Sequence, residues 1–138
     1  MAQHASRFLV EIAGLSLSAF AEVSGLAEEI QVVEYRDGLT GDVQKVTGLH
    51  KSSDVTLKRG VVAGDLSLWH WFKSVRDGNS DRRSVSVILL DEQLQPVMRW
   101  NLWAAFPVKY EGPCLYASGN EVAMETLTLT HDRLDVVI

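Results

Sequence analysis

The sequence predicts a mainly β protein: an antiparallel β-sandwich or partly closed barrel of about seven strands, with one short α-helix and a long extended loop. Three observations predict it. Apolar and polar residues alternate at period two through most of the chain, the alternating segments are rich in β-branched residues, and glycine and proline punctuate them at short intervals. Only one segment carries an apolar period of 3.6 residues.

In residues 7–13, Phe8, Val10 and Ile12 share one face and Arg7, Leu9 and Glu11 the other, the pattern of a half-buried strand that Gly14 ends. Leu17, Ala19, Ala21 and Val23 then alternate with Ser18, Phe20, Glu22 and Ser24 as far as Gly25. The first two strands are therefore read as an antiparallel hairpin with a tight turn near Gly14. A third strand covers residues 30–36, with Ile30, Val32 and Val33 ahead of a polar tail of Glu34, Tyr35 and Arg36. Between Asp37 and Asp54 the alternation collapses, with Asp37-Gly38, Gly41-Asp42 and Gly48 as breaks, so this segment is read as a long loop or a mobile hairpin. A connection of about 16 residues exceeds the usual length in a compact domain and marks a candidate contact arm. Residues 55–60 restore the strand period, with Val55, Leu57 and Arg59 alternating with Thr56, Lys58 and Gly60.

The helix is predicted over residues 65–76. Asp65 is placed to accept a first-turn backbone N–H, and Leu66, Leu68, Trp69, Phe72 and Val75 form a broad apolar stripe. Lys73 and Arg76 complement the dipole in the last turn, and Gly78 is placed to end it. Residues 84–90 read as a strand, residues 91–96 as a reversing loop, and Met98, Trp100, Leu102, Ala104 and Phe106 as one apolar strand face. Pro107, Gly112 and Pro113 are expected to break the pattern before a last strand over residues 121–131. Val122 and Met124 there lie on one parity and Leu127 and Leu129 on the other, which predicts a bulge near Glu125-Thr126 or a strand buried on different faces.

The 138 residues are expected to form one domain, 1–138, large enough to bury about two-thirds of the surface of its unfolded form. A lone cysteine, Cys114, leaves no internal disulfide framework and no thiol cluster for zinc. The opening residues show no basic region followed by a long apolar run, and the longest apolar run, near Val87-Ile-Leu-Leu90, is far short of the roughly 20 residues of a membrane span. No secretory signal and no membrane insertion of the subunit are expected. A net charge of −5 argues against a nucleic-acid coat, which needs clustered Lys and Arg. No nucleophile elbow, phosphate-binding glycine loop or paired metal ligands are found, and His4, His50, His70 and His131 are scattered, so neither a catalytic residue nor a cofactor or metal site is expected. Lys58-Arg59 and Arg82-Arg83 are read as salt-bridge partners at a subunit or strand edge rather than as phosphate patches. Trp69 and Trp100 fall on predicted apolar faces; Trp71 and Trp103 fall nearer the flanks, as candidates for interfaces.

Several segments, in order and spacing, together resemble the phage tail tube proteins of the T4-like type and their relatives in contractile injection systems. They are Phe8-Leu-Val-Glu-Ile12, Phe20-Ala-Glu-Val-Ser-Gly25, Glu34-Tyr-Arg-Asp-Gly38, Val55-Thr-Leu-Lys-Arg-Gly60 and Trp69-His-Trp71, followed by Arg83, Leu90-Asp91, Trp100-Asn101, Pro107-Val-Lys-Tyr110, Gly119-Asn-Glu-Val122 and Glu125-Thr-Leu127. The chain departs from the family pattern at Lys45-Val-Thr-Gly48, where a proline often precedes the glycine. The resemblance implies a structural subunit that forms hexameric rings stacking into the hollow inner tube of a contractile tail or injection system. Implied partners are further copies of the chain, a sheath protein, a baseplate, cap or terminator proteins, and cargo protein or DNA in the lumen. Synthesis would be cytoplasmic, with assembly into a phage tail or an extracellular or cytoplasmic injection particle. On this reading the ring-stacking loop carries Asp37, Gly38, Leu39, Asp42, Lys45, Leu49 and His50. Candidate subunit-interface residues are Glu34, Arg36, Lys58, Arg59, Arg83 and Lys109, and candidate channel residues are Ser16, Ser18, Thr126 and Thr128. The helix would pack on the outer side. An alternative reading from another class is a monomeric β-barrel whose tryptophans line a cavity for a small hydrophobic ligand.

Overall fold

Nine strands and one helix succeed each other along the described residues, 2–13 and 20–138 of the computed structural model. They are β1 (Phe8–Ile12), β2 (Glu22–Ser24), β3 (Glu28–Arg36), β4 (Val43–Ser52), β5 (Val55–Gly60), α1 (Ser67–Arg76), β6 (Arg83–Leu90), β7 (Pro96–Glu111), β8 (Met124–Thr130) and β9 (Arg133–Val137). Seven strands form an antiparallel sheet in the order β1-β6-β7-β8-β5-β2, with β9 also paired to β7, while β3 and β4 make a separate two-stranded sheet. The mainly β architecture with one short helix is the one that the period-two pattern predicts.

The long strand β7 joins the two halves of the sheet. It pairs with β6 between Pro96 and Ala105, with β9 from Arg99 to Trp103, and then with β8 from Phe106 to Glu111. It changes partner where the register shifts, opposite Arg83/Val85 and again between Pro107 and Lys109. Ala104 there has φ 52°, a left-handed backbone that an L residue adopts only at some strain. This bulge corrects the single apolar face expected for β7. Leu102 faces the core, but past the extra residues Ala105 and Pro107 are the buried ones. Pro107, expected to end the strand, lies inside it, beside a break in the ladder where a missing N–H is tolerated.

Strand pairing departs from the expected first hairpin. β1 pairs with β6 from Phe8↔Leu89 to Ile12↔Val85, and β2 pairs with β5, so the two strands stand at opposite ends of the sheet. The predicted turn at Gly14 and the positions Ser16, Leu17, Ser18 and Ala19 lie outside the described residues. The predicted irregularity near Glu125-Thr126 is also corrected: β8 keeps one parity, with Glu125, Leu127 and Leu129 all buried, and Val122 precedes the strand. The chain then resumes along β7 as β9, a strand not expected from the sequence, where the last strand ends at His131.

Both halves of the sheet bury one core, built from Val10, Ile12, Val85, Val87 and Leu102 on one side and Val55, Leu57, Leu127 and Leu129 on the other. Leu68 and Trp71 of α1 close it. Trp71, expected on the flank, is 0% exposed, and its indole Nε1 donates to the Asp81 carbonyl at 2.8 Å, so the polar tip of the ring is satisfied. Trp69 is half-buried on the helix side, stacked on Phe72 and edge-on to Tyr110. The ends of α1 follow local chemistry. Asp65 accepts the N–H of Ser67, and beyond Arg76 the amides of Gly78 and Asn79 bond back to the Val75 and Ser74 carbonyls, with Gly78 at φ 97°. That is the Schellman arrangement, which needs a left-handed residue at this position.

Candidate functional site: a projecting arm on a braced sheet

The segment read as a long loop or mobile hairpin, residues 37–54, supplies the tip and the second strand, β4, of a hairpin whose first strand, β3, is the predicted third strand. Cross-strand pairs include Val33↔Val46, Glu34↔Lys45 and Tyr35↔Gln44, with a register shift between Ile30 and Val32 opposite Gly48 and Leu49. Gly48 belongs at that irregularity, because a Cβ there would press on the Gln31 carbonyl and a Val33 methyl, each at 3.1 Å. At the tip, Asp37 and Asp42 close the turn with a backbone bond of 2.9 Å. The Asp37 carboxylate accepts the Leu39 N–H at 2.8 Å, and Arg36 reaches the Gly41 carbonyl at 3.0 Å.

Nothing in the subunit covers this arm among the described residues. Every residue of β3 is exposed, and apolar side chains look out on both faces: Ile30, Val32, Val33, Tyr35, Val43, Val46 and Leu49, with Leu39 at the tip 97% exposed. A two-stranded hairpin is marginal in water by itself, and an uncovered apolar surface of this extent marks a contact site. The predicted loop residues Asp37, Gly38, Leu39, Asp42, Lys45, Leu49 and His50 all fall on this one element.

The candidate interface residues separate. Glu34 and Arg36 lie exposed on the arm. Lys58 pairs with Glu22 at 3.7 Å and Lys109 with Glu111 at 2.9 Å, both at the surface of the sheet. These four side chains share one face with Ser24, Thr56, Thr126 and Thr128, because the partners Glu22↔Lys58, Ser24↔Thr56, Thr56↔Thr128, Lys58↔Thr126, Lys109↔Thr128 and Glu111↔Thr126 lie directly opposite each other. The face is polar and its charges are matched.

Arg59 and Arg83, the other two interface candidates, are engaged within the subunit. Arg59 is 2% exposed and turned inward, its Nε 2.7 Å from Glu125 and its Nη1 3.2 Å from Asp65. Tyr110 donates to the other Glu125 oxygen at 2.8 Å, and the ring of Phe20 lies 5.8 Å from the guanidinium. The hydroxyl and amide of Ser67 hold the Asp65 carboxyl below its usual range, while burial and then the Glu125 carboxylate push the Tyr110 phenol up to about 12. This buried node joins β5, β7 and β8 to the start of α1; it braces the subunit from within. Arg83 likewise makes two bonds to Asp81, at 2.9 and 3.0 Å, and lies over Trp71 at 5.0 Å. A pattern read along one strand could not show the burial of Arg59, since Glu125 comes from a segment 66 residues away; only the shared parity of Arg59 with Val55 and Leu57 hinted at it, whereas Arg83 finds its partner Asp81 two residues away.

The placement of the tryptophans gives no support to the ligand-cavity alternative. Trp71 is packed in the core, Trp103 is at the surface bonded to Asp135, and two clefts of about 310 and 300 Å³ have no tryptophan among the described residues lining them. Among the described residues, no group of three or more His, Cys, Asp or Glu could hold a metal ion, and no helix is long and apolar enough to cross a membrane.

Comparison with known proteins agrees with this arrangement. The chain is similar over 99% of its length to a chain of the PVC extracellular contractile injection system sheath–tube complex in the extended state, with 29% identity, 91% of that chain covered and a TM-score of 0.91. It is similar to the same degree, 29% identity over 99% of this chain and 91% of the other with a TM-score of 0.90, to a chain in the tube-terminating cap of the anti-feeding prophage. Hcp1 from Flavobacterium johnsoniae, at 16% identity over 94% of this chain and 93% of that one with a TM-score of 0.61, shares the fold. No curated protein sequence matches the chain. The family model for T4-like virus tail tube protein gp19 matches residues 4–135, nearly the whole length. The chain belongs to that family and is a structural tail tube subunit.

Proposed function

We propose that residues 1–138 form one tail-tube domain, that six copies close into a ring, and that rings stack through the β3–β4 arm into the inner tube of a contractile injection system. The observation that carries this is the uncovered arm, with apolar side chains on both faces and its tip standing clear of the core. The sheet supports the ring. β1 and β2 end the strand order and present edges with no strand beyond them among the described residues, and a head-to-tail contact between copies satisfies such edges. The role is one of assembly without a chemical step. By similarity to the injection-system structures, the partners assigned to the tube are a sheath and a cap or terminator; a baseplate, and cargo protein or DNA in the lumen, belong to the same proposal. The subunit is made in the cytoplasm and works in the assembled particle.

The polar sheet face with Thr126, Thr128 and Lys58 is assigned to the channel, and α1, on the core side of the same sheet, to the exterior. A wall of threonine hydroxyls and locally paired charges lets cargo slide without holding it. Purified protein imaged by negative stain should show six-fold rings and hollow tubes. A lone 15.3 kDa species at all concentrations would overturn the proposal.

A further inference from the structure

We propose that the arm is already aimed in the free subunit, held by a clasp at its base that joins Glu28, Ser52, Ser53 and His131 to the β8–β9 corner. One oxygen of Glu28 does most of the joining: it accepts the Ser52 hydroxyl at 2.7 Å and the Leu134 amide at 2.6 Å, tying β3 to β4 and both to β9. Ser53 adds two bonds, its N–H to the Ala27 carbonyl at 3.0 Å and its carbonyl to His131 Nε2 at 2.9 Å. A carbonyl only accepts, so the His131 proton sits on Nε2. His131 is 7% exposed, and its Nδ1 is buried with no partner among the described residues, so the ring is held in place for the one bond it makes into the arm's base.

The backbone crossing beneath the clasp is equally tight. Gly25 has φ 89°, and a Cβ there would run into the Asp54 carbonyl, so the chain entering the arm lies directly against the chain leaving it. Beyond the base, the strands of the arm pack on each other and are otherwise exposed. Core burial therefore does not set the arm's direction; the clasp does. The Leu134 amide and Ser52 hydroxyl also hold the Glu28 carboxyl below its usual range, as expected for a carboxylate engaged as an acceptor.

A clasp of this kind moves the ordering of the arm into folding, so that assembly does not have to supply it. This consequence rests on the arm making ring contacts; the clasp itself is a property of the single subunit. The test uses the full chain carrying Cys114→Ser, with spin labels on Leu39→Cys at the tip and Lys73→Cys on α1, measured under conditions where the subunit is monomeric. The unmutated clasp should give a narrow distance distribution, Glu28→Ala a broad one, and Glu28→Gln, whose amide oxygen still accepts, a narrow one. Ser52→Ala, which removes one bond at a half-buried side chain, should give intermediate width and keeps the test open if Glu28→Ala does not fold. Equal widths in all variants, whether all narrow or all broad, would overturn the clasp. Tube growth is scored separately. Its threshold concentration should rise roughly tenfold in a variant whose arm keeps the competent direction a tenth of the time. Narrow distances in a chain that never forms tubes would sink the ring reading and leave the clasp standing.

Discussion

Arg59 shows what a single residue contributes. In the sequence it is a cation in an alternating strand, beside Lys58 and apparently its equal. In the fold the two face opposite ways: Lys58 pairs with Glu22 at the surface, whereas Arg59 is sealed against Glu125. Removing one member of a buried pair strands the other without compensation, so Arg59→Met should lower stability by about 3 kcal/mol, read as a shift of the urea midpoint. Arg59→Met combined with Glu125→Leu should recover more than half of that loss, since neither charge is then buried alone. Tyr110, in the same node, gives a pH signature. Its phenol is raised in the fold from 10.0 to about 12, so it favours the folded state fully below pH 10.0 and loses that contribution as pH rises toward about 12. Denaturation midpoints measured from pH 9 to pH 12 should fall more steeply in the native protein than in Tyr110→Phe, roughly within the window that linkage predicts.

At the scale of elements, helix and strands differ in how much of each was legible. The helix end was readable because capping is local: Gly78 follows the last turn in the left-handed backbone, as expected. The start was read less well, since the helix begins at Ser67, whose N–H Asp65 accepts, and Leu66, expected on the apolar stripe, is an exposed N-cap. Gly78→Ala should cost about 1 kcal/mol, because alanine at φ 97° strains the Schellman turn, and a thermal melt should show a lower Tm. The inward face of the helix was less legible. Trp71 and Leu68 are the buried pair, while Trp69 lies half-buried toward Tyr110; a broad aromatic stripe fits more than one rotation about the helix axis, and the sheet it meets decides which is used. In β7 and β8 the misleading signals were a bulge and a buried charge. Ala104 shifts the phase of one strand, and Glu125 occupies a core position of the other because Arg59, 66 residues away in sequence, neutralises it there.

For the whole molecule, the arm is the part whose loss should separate folding from assembly. Deleting residues 39–48 removes the tip and much of β4 but no residue of the core, so the cooperative unfolding transition should persist while tubes vanish from negative-stain images. In assembled tubes carrying Cys114→Ser, a cysteine at Lys73 should react with a bulky maleimide and one at Thr128 should be protected; the reverse pattern would place α1 in the channel. The sequence by itself determined much of the local backbone: most of the strands though not β4 or β9, the single helix and the glycine that ends it, that residues 37–54 depart from the packed pattern, and the resemblance to tail tube proteins. Those follow from periodicity, capping and turn chemistry, which act over a few residues. Only the tertiary structure decided that β1 pairs with β6 and β2 with β5, that Arg59 is internal, and that the arm is a hairpin standing clear of the core. The reason is physical: an alternating strand offers the same hydrogen-bonding edge to any partner, so its pairing is settled by which distant segments can share one core.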